Sequence, residues 1–477
     1  MINFYNVIHT MLTRPGIREL IIPADPQELP ITNQELLQNI SGYRYLLQQH
    51  VVPGDSVLLA IPVSSVSISA LLAIQSIGAI PVLPPASSDL PALFKLLKSQ
   101  KINVIIAEEQ MHQQLGAELA AAGIHCLFLK QETSRETDWE AVLVNPDQPA
   151  LVTFSSGTTG EPKSVLRSHR VITTQHQILK KVFTPQTDLR DFPIFPNVIL
   201  HNIAAGITTV VPGIPGFQMS QLKAENIIMQ LSAQHIGTLT GNVFYFRSIL
   251  AYLKAHPQSF PKVRQIGIGG SPVPEDLLPE LRLYFPETEF HIIYGSSEAE
   301  PIAVRKINGT AKNPINGYCV GKPVETLELR INEAVTVHTA GGTFNSGEIE
   351  VRGAHVATSH QDGWLRTGDI GYLSADKELY LTARIGNEKA HQGIQHYQIE
   401  HLLILHHQVV QVAAIAAEDG FDIFIQGTLT HQEAERILDK NFSPGLINSV
   451  QFQTEIQVDN RQHSKILYHK INELRVL

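Results

Sequence analysis

The sequence predicts an α/β protein: a large N-terminal domain with mixed and parallel sheets and helices, followed by a small C-terminal α+β domain. The chain has 477 residues, too many for a single hydrophobic core, so we expect at least two domains. Before residue 373, short apolar strands alternate with helical segments, which is typical of parallel sheets. Beyond it the pattern becomes that of a compact α+β unit. We therefore place the boundary at Arg384, with domains at 1–383 and 384–477.

The N-terminal domain is predicted to begin with an amphipathic helix, because Phe4, Val7, Ile8, Met11 and Leu12 follow helical spacing. Apolar strands are expected further along, at residues 55–63, 80–85, 102–109, 125–130, 149–156, 263–271 and 289–298. The last two strands both run into glycine and serine. Ligand sites of α/β sheets lie at the carboxyl ends of strands, so these two ends are candidate binding positions.

The C-terminal domain is expected to follow a strand at residues 377–385 that crosses the boundary. Its helices are predicted at 396–408, 431–442 and 464–477, and its strands at 409–418, 422–430 and 450–458. Thr430 and Glu433 have the spacing of a capping box, in which the two side chains satisfy backbone N–H groups at the start of a helix.

Composition and charge argue against several classes of protein. The net charge of −9 argues against a broad nucleic-acid surface, which requires clustered Lys and Arg. Cys126 and Cys319 have no metal-binding or redox spacing, which indicates two plain thiols in a reducing compartment. The most apolar long segment, 57–85, is interrupted by Pro62, several serines and Gly78, so it predicts core elements rather than a membrane span. We expect a cytoplasmic protein with no nucleic-acid partner and no stable membrane insertion.

The stretch SSGTTGEPKSV, residues 155–165, has the composition of a phosphate-binding loop. It approaches the pattern G-x-x-x-x-G-K-[ST], but Pro162 occupies the position before the lysine, where that pattern has glycine. In a P-loop the lysine opens a helix, whereas the residues after Lys163 have the pattern of a strand. We therefore predict another kind of phosphate loop. Its hydroxyls and glycines are those of Ser155, Ser156, Gly157, Thr158, Thr159 and Gly160.

This loop resembles the signature loop of the adenylate-forming superfamily, which comprises acyl-CoA synthetases, peptide-synthetase adenylation domains and luciferases. Other stretches that resemble the family's motifs follow in the same order: GGSPVP at 269–274, YGSSE at 294–298, SGEIEVRG at 346–353, WLRTGDIGYL at 364–373 and VDNRQHSKIL at 458–467. The resemblance spans the chain from Thr32 to Leu477. It implies the fold of that superfamily, with a mobile C-terminal domain.

The resemblance implies ATP- and Mg²⁺-dependent activation of a carboxylic acid to an acyl-adenylate. It assigns catalytic roles to Lys465, Glu298 and Thr158, with Glu298 also the magnesium ligand. Lys465 delivers positive charge between the carboxylate and the α-phosphate, and Asp369 holds the ribose hydroxyls. The nucleotide-binding set implied is Ser155, Ser156, Gly157, Thr159, Gly160, Lys163, Gly270, Ser271, Pro272, Tyr294, Gly295, Ser296, Ser297, Asp369 and Arg384.

The sequence departs from the family's pattern at four places around the predicted hinge and the catalytic lysine. In the junction motif, Gly386 replaces an acidic residue and Ala390 replaces a lysine. Before Lys465, His463 and Ser464 stand where the family has serine and glycine. A glycine hinge can absorb a large backbone rotation, so we expect the small domain to rotate, while the replacements change its contacts for a second half-reaction.

Three stretches, FPIFPNVIL…GITTVVP at 192–212, YGSSEAEPI at 294–302 and VDNRQHSKI at 458–466, also resemble a branch that holds olefin-pathway β-lactone synthetases and related fatty-acid-ligase-like proteins. In those synthetases a β-hydroxy acid is adenylated and its own hydroxyl displaces AMP. The acceptor stays open between CoA, an acyl-carrier-protein thiol and an internal hydroxyl. A different class of function is a non-catalytic relative that binds nucleotide or acyl chain and acts through a partner. Chain length of the acid and oligomeric state are not determined. A further set of residues, expected in the core or in an acyl pocket, is His201, Asn202, Asn242, Phe244 and Tyr245.

Overall fold

A computed structural model describes residues 1–85, 90–129, 133–134, 136–156, 162–183, 189–309, 311–358, 360, 362–459 and 462–474. The strands, in chain order, are β1 (Glu19–Ile22), β2 (Ile31–Thr32), β3 (Ser56–Ala60), β4 (Ile80–Val82), β5 (Val104–Ala107), β6 (His125–Phe128), β7 (Pro149–Ser156), β8 (Pro162–Ser168), β9 (Arg190–Pro193), β10 (Thr209–Val210), β11 (Ile236–Gly241), β12 (Gln265–Gly269), β13 (Glu289–Tyr294), β14 (Ala303–Lys306), β15 (Tyr318–Pro323), β16 (Leu327–Thr339), β17 (Gly342–Gly353), β18 (Leu365–Leu373), β19 (Leu379–Arg384), β20 (Val409–Ala416), β21 (Phe421–Gly427) and β22 (Ile447–Phe452).

The helices are α1 (Tyr5–Leu12), α2 (Asn33–Leu47), α3 (Ser65–Ile77), α4 (Leu90–Ser99), α5 (Glu109–Ala121), α6 (His169–Val182), α7 (Pro196–Ala205), α8 (Ala224–Ala233), α9 (Val243–Ala255), α10 (Leu277–Tyr284), α11 (His396–Ile404), α12 (His431–Asn441) and α13 (Tyr468–Leu474). Short 3₁₀ turns lie at Pro215–Phe217, Met219–Gln221 and Pro314–Asn316. The predicted α/β class, with mixed and parallel sheets, is confirmed.

One sheet has the order β6-β5-β3-β4-β7-β8 and is parallel except for the β7–β8 hairpin. Its strands are apolar on both faces. Along β5, Val104 and Ile106 pack into one hydrophobic cluster, and Ile105 and Ala107 pack into another on the opposite face. This double burial explains why these strands are continuous apolar runs rather than alternating ones.

A longer sheet has the order β16-β17-β18-β19-β15-β14-β13-β12-β11-β9-β10-β1-β2. The strands from β10 to β13 are parallel to their neighbours in this order, and those from β13 to β16 are antiparallel. Helices α8, α9 and α10 bury their apolar faces against the parallel half. Parallel strands end at the same edge, so β12 and β13 deliver their following loops side by side.

The C-terminal part contains the sheet β20-β21-β22 with its own hydrophobic cluster. Helix α12 begins with the predicted capping box, because Thr430 Oγ1 accepts from the Glu433 N–H and Glu433 Oε2 accepts from the Thr430 N–H. Helix α11 packs against β20 and also against β15 and β19 of the long sheet. It therefore joins the small sheet to the large body, and the division into domains at residue 384 stays a prediction.

Two predicted elements differ from those observed. The last helix begins at Tyr468 instead of Ser464, because Ile466 forms a β-bridge with Val458 and holds the preceding residues extended. The last strand is β22, which starts and ends several residues before the predicted segment 450–458. Helix α1 forms as predicted, with Ile8, Met11 and Leu12 buried. In the described part of the chain, no helix combines the length and apolar character needed to cross a bilayer.

Candidate active site

The loops after β12 and β13 leave the sheet next to each other and carry six of the fifteen predicted nucleotide-binding residues. Gly269 pairs with Ile293 in the parallel register, so residues 270–272 and 294–298 emerge side by side. Both loops require glycine. A Cβ on Gly295 would lie 2.7 Å from the Ala299 carbonyl oxygen, and Gly270 has a φ of +83°. A larger residue would clash with the backbone at position 295 and would be strained at position 270.

The loop after β13 is a tight turn that presents Glu298. The Ser296 N–H donates to the Ala299 carbonyl, and the Ala299 N–H donates back to the Ser296 carbonyl, at 2.8 and 3.1 Å. The Glu298 carbonyl accepts from the Ala357 N–H at 2.7 Å, and Glu298 itself is half-buried, as are Ser296 and Ser297. The turn therefore holds this carboxylate close to the carboxyl end of the sheet.

Asp369 joins three strands through its carboxylate. It lies on β18 opposite Arg384 of β19, whose guanidinium donates to Oδ1 at 2.6 Å. The Tyr294 hydroxyl donates to Oδ2 at 2.9 Å. The negative charge of Asp369 raises the pKa of Arg384. Burial, and to a smaller extent the Asp369 charge, raises the pKa of Tyr294 well above its usual range. Three residues from separate motifs thus form one hydrogen-bonded group.

Lys465 lies in a loop that the Asp459 carboxylate organises. Asp459 Oδ1 accepts from the N–H groups of Ser464 and Lys465 at 3.1 and 2.8 Å, and Oδ2 accepts from the Gln462 N–H at 2.7 Å. The Lys465 carbonyl accepts from the Asp459 N–H at 2.8 Å, which closes the loop. His463 takes a positive φ of +50° within it. The backbone before Lys465 is therefore held by one side chain.

The Lys465 ammonium lies among charges from the other motifs. Burial lowers its pKa, as does the positive charge of Arg384, while Asp369, Asp459 and Glu298 act in the opposite direction. The residue is nevertheless exposed to solvent. The structure thus brings Lys465 near two carboxylates that lie about 100 and 170 residues earlier in the chain.

The Lys465 loop docks on the start of α9 and on the loop after β12. The Asn242 amide donates to the Gln462 carbonyl at 2.8 Å, and the rings of Phe244 and His463 lie 5.4 Å apart. A Cβ on Gly270 would lie 2.9 Å from the Gln462 side chain. Buried polar atoms without a hydrogen-bond partner among the described residues gather here: Ser271 Oγ, Gln462 Oε1 and Ser464 Oγ. Such atoms indicate a place for a polar ligand.

The predicted phosphate loop connects the antiparallel strands β7 and β8. Residues 157–161, and with them the predicted Gly157, Thr158, Thr159 and Gly160, lie outside the part of the chain that the structure describes. The side chains of Ser155 and Ser156 also lie outside it. Lys163 is exposed on β8, in register with Ser155, and the next helix begins only at His169. The lysine therefore follows a hairpin and does not open a helix, in contrast to a P-loop.

The match to a family model covers most of this architecture. Residues 30–359 match the family model described as "AMP-binding enzyme". The chain belongs to the AMP-binding enzyme family. The expected class, an ATP-dependent ligase of the adenylate-forming type, is confirmed with it.

Two groups of enzymes are among the relatives that the chain resembles in sequence. The chain is 27% identical to 4-coumarate–CoA ligase 3 of Arabidopsis thaliana over 412 residues, which cover 77% of this chain and 71% of that protein. It is 27% identical to an olefin β-lactone synthetase of Xanthomonas campestris over 304 residues, which cover 56% of this chain and 54% of that protein. Equal identity to both groups does not select between them.

The fold is that of solved members of the adenylate-forming group. The structure of O-succinylbenzoate CoA synthetase from Bacillus subtilis, in complex with ATP and magnesium, matches with a TM-score of 0.78 at 18% identity and covers 98% of this chain and 99% of that chain. At this identity the likeness establishes the fold alone. It includes the C-terminal part of the chain, which lies beyond the matched family model.

A buried network behind the family motifs was not predicted from the sequence. His396 Nε2 accepts from the Arg384 N–H at 3.0 Å, so its proton lies on Nδ1, which donates to Glu400 Oε1. Glu400 also accepts from the Tyr468 hydroxyl at the start of α13. The network thus links the predicted hinge to the helix after Lys465. The only sequence signal is the i, i+4 spacing of His396 and Glu400 on α11.

The five residues predicted to lie in the core or in an acyl pocket divide between the core and the lysine loop. Asn202 donates to Asp191 and Thr209, and Tyr245 is fully buried, so both belong to the core. Asn242 and Phe244 contact the Lys465 loop. His201 is buried in the core: Nδ1 lies 3.0 Å from His176 Nδ1, and Nε2 has no hydrogen-bond partner within the described ranges.

Proposed function

We propose that this protein uses ATP and Mg²⁺ to convert a carboxylic acid to an acyl-adenylate with release of pyrophosphate. One observation carries the proposal: the Asp459-capped loop that carries Lys465 docks beside Gly270, where the charges of Asp369, Arg384 and Glu298 act on the Lys465 ammonium. These residues come from separate motifs of the AMP-binding family. The reaction brings two anions together, so it requires a cation close to the residues that are assigned to the ribose and to magnesium.

The reaction joins a carboxylate to the α-phosphate of ATP. A carboxylate oxygen attacks the α-phosphorus, the bond to the bridging oxygen breaks, and pyrophosphate leaves with the electron pair. Both reactants are negatively charged, so the barrier contains a large electrostatic repulsion. We assign to Lys465 the role of reducing this repulsion. Its ammonium contacts the oxygens of the phosphate and the carboxylate on which negative charge develops, and the Asp459-capped loop holds it in position.

The residues at the carboxyl ends of β12 and β13 fit a nucleotide. Ser271 Oγ, Gln462 Oε1 and Ser464 Oγ are buried and lack hydrogen-bond partners among the described residues, so a polar base can satisfy them. We assign the ribose hydroxyls to Asp369, with Arg384 beside it. The β- and γ-phosphates are assigned to the loop after β7, through Thr158, Thr159 and Lys163.

Glu298 fits a magnesium ligand by the chemistry of its donor atoms, because Mg²⁺ binds proteins through one or two carboxylates and completes its shell with phosphate oxygens and water. Glu298 belongs to the tight turn of residues 295–299, and its charge acts on the Lys465 ammonium. When bound, Mg²⁺ supplies neutralisation of the phosphate charge.

We assign the substrate to the fatty and hydroxy acids, and the acceptor to one of three nucleophiles: CoA, an acyl-carrier-protein thiol or the substrate's own hydroxyl. The similarity to a 4-coumarate–CoA ligase supports the first and that to an olefin β-lactone synthetase supports the last. Mass spectrometry of the products separates them. A product one water lighter than a 3-hydroxy acid, formed together with AMP, identifies a lactone; a thioester identifies a thiol acceptor.

We also propose that residues 384–477 move as a unit between the two half-reactions, with Gly386 as the hinge. Gly386 has a φ of +89°, and a Cβ built on it would meet no atom within 4 Å. The backbone there is thus unobstructed, and a non-glycine residue would strain it. Gly386→Val should slow the second half-reaction more than pyrophosphate release.

The second candidate function is a non-catalytic relative that binds nucleotide or acyl chain and acts through a partner. The replacements at Gly386 and Ala390 favour it, because they remove an acidic residue and a lysine of the family's junction motif. This candidate predicts that Lys465→Ala leaves the biological role intact.

Pyrophosphate release with a panel of fatty, hydroxy and aromatic acids tests the proposal. We expect ATP- and acid-dependent release from the wild type, a loss of about 100-fold or more in Lys465→Ala, and little change in Lys470→Ala, an exposed lysine on α13. ATP binding without release with any acid would contradict the proposal and favour the second candidate.

A further inference from the structure

Glu300 lies two residues after Glu298 and is half-buried beside the Asn197 amide. Asn197 Nδ2 donates to Glu300 Oε2 at 3.0 Å. Burial raises the pKa of the Glu300 carboxyl, and the positive charge of Arg167 together with the Asn197 hydrogen bond lowers it. Arg167 donates to Thr153 Oγ1 at 2.8 Å. These four side chains form a polar cluster that the proposed nucleotide and magnesium roles do not use.

Glu300 differs from the carboxylates that stabilise the fold. Glu275, Glu350 and Glu400 are each almost completely buried, and each accepts hydrogen bonds or ion pairs through both oxygens. Among the described residues, by contrast, the donor to Glu300 is Asn197 and its bond goes to Oε2. Oε1 is left to accept from something else. A partly accessible carboxylate with one open oxygen has the character of a binding group.

The cluster adjoins three of the elements that carry predicted nucleotide-binding residues: the strands beside the phosphate loop, the loop after β12 and the loop after β13. Thr153 and Arg167 lie on β7 and β8, the strands on either side of the phosphate loop. Asn197 lies at the start of α7, two residues after Phe195, whose ring lies 3.6 Å from where a Cβ on Gly270 would be. Glu300 continues the loop that presents Glu298. The cluster therefore lies between the strands of the phosphate loop and the loop that carries Glu298.

We propose that Glu300 Oε1, held in place by Asn197, binds a hydroxyl group of the carboxylic-acid substrate and thereby selects hydroxy acids over their unsubstituted counterparts. This inference rests on the proposed acid-activating function. A hydroxyl donates its proton to the open carboxylate oxygen, and the Asn197 carbonyl oxygen offers a second acceptor next to it. A hydrogen bond to an ionised acceptor is about twice as strong as a neutral one.

A neutral donor fits this cluster better than a cationic one. The positive charge of the Arg167 guanidinium already acts on the Glu300 carboxylate. A substrate ammonium would add a second positive charge close to Arg167, which is unfavourable where water is partly excluded. An apolar chain at this point would leave Oε1 without a donor, and a site built for a hydroxyl rejects such analogues strongly.

The test compares pyrophosphate exchange with 2-hydroxy, 3-hydroxy, 3-amino and unsubstituted acids of the same chain length, over a series of lengths. For the wild type we expect kcat/KM at least about tenfold higher for one of the hydroxy acids than for the unsubstituted acid. Glu300→Leu should reduce that ratio about tenfold or more, and Asn197→Leu should reduce it in the same direction. Glu300→Gln, which keeps a neutral acceptor, should fall between.

Glu350→Gln is the matched control, because Glu350 is a buried carboxylate that also accepts from an asparagine amide, that of Asn332. It should leave the ratio unchanged. The ratio is measured on folded molecules, so partial unfolding of a variant lowers both rates together and does not mimic the effect. An unchanged ratio in Glu300→Leu, or a preference for the 3-amino acid, overturns the inference while acid activation stands. No exchange with any acid contradicts the proposed function itself and this inference with it.

Discussion

Asp369 and Arg384 face each other across the antiparallel strands β18 and β19, and their side chains form an ion pair of 2.6 Å. The other Asp369 oxygen accepts from Tyr294, which ends β13. Arg384 in turn donates its backbone N–H to His396 on α11. The predicted ribose ligand is therefore joined directly to the first residue of the predicted C-terminal domain, so nucleotide binding and the orientation of that domain share one hydrogen-bonded group.

Asp369→Asn should weaken ATP binding. The amide keeps the shape of the side chain but loses the charge that pairs with Arg384 and strengthens hydrogen bonds from ribose hydroxyls. We expect the dissociation constant for ATP to rise about tenfold to 100-fold, measured by calorimetry, since a hydrogen bond to a charged group contributes about 1.5–3 kcal/mol. Asp376→Asn, an exposed residue between β18 and β19, is the control. Unchanged binding in Asp369→Asn would remove Asp369 from the nucleotide site.

Asp459→Ala should lower kcat with little effect on ATP affinity. Its carboxylate accepts three backbone N–H groups of the loop that carries Lys465, and without it the ammonium loses its defined position. A misplaced catalytic group costs about tenfold to 100-fold in rate. Steady-state kinetics of pyrophosphate release, together with ATP titration, separates the two effects. Asp439→Ala on α12 controls for the loss of an exposed carboxylate. An equal decrease of kcat in both variants would contradict the positioning role of Asp459.

The activity should decline on the alkaline side below the ordinary lysine value of 10.5, because burial and Arg384 lower the pKa of Lys465. Lys465 acts as a cation, so activity is present below its pKa and is lost as the pH rises through it. Lys465→Arg should shift the alkaline decline to higher pH, since guanidinium stays protonated. The measurement is kcat/KM for pyrophosphate release against pH. An alkaline decline that is identical in Lys465→Arg would assign it to another group.

The buried pair His176 and His201 should make the fold sensitive to acid. Burial lowers the pKa of His176 to about 4 and that of His201 to about 3 from an ordinary 6.5. At pH values between the ordinary histidine pKa and these lowered pKa values, the unfolded chain binds protons that the folded chain does not. The contribution of the pair to the free energy of unfolding is therefore fully present above pH 6.5 and is lost as the pH falls below it. We expect each histidine to contribute on the order of 2 kcal/mol of this loss.

Denaturant unfolding between pH 4 and 7 measures this effect. His176→Gln should flatten the pH dependence by about one proton, because glutamine does not titrate and can still bond to His201. His235→Gln changes an exposed histidine and serves as the control. The same slope in wild type and His176→Gln would exclude the pair as the source of acid sensitivity.

Local pattern predicted the strands and the loops that end them. β12 and β13 were expected because short apolar runs ended in glycine and serine, and the cap of α12 was expected from Thr430 and Glu433. The start of α13 was missed because the β-bridge between Val458 and Ile466 overrides the helical preference of the residues before Tyr468. Asp459 was missed for a related reason. Its partners are backbone N–H groups, which do not depend on the type of side chain and therefore give no signal in the sequence.

The sequence by itself determined the family and the class of reaction, because both depend on residue types in a given order: the glycine- and hydroxyl-rich loop, Glu298, Asp369 and Lys465. Only the tertiary structure decided which of these groups come close enough for their charges to interact. Lys465 lies about 100 residues beyond Asp369, and they meet because the Asp459-capped loop docks on Asn242. The open oxygen of Glu300 is likewise a tertiary result, since hydrogen-bond satisfaction depends on which donors the packing brings within reach.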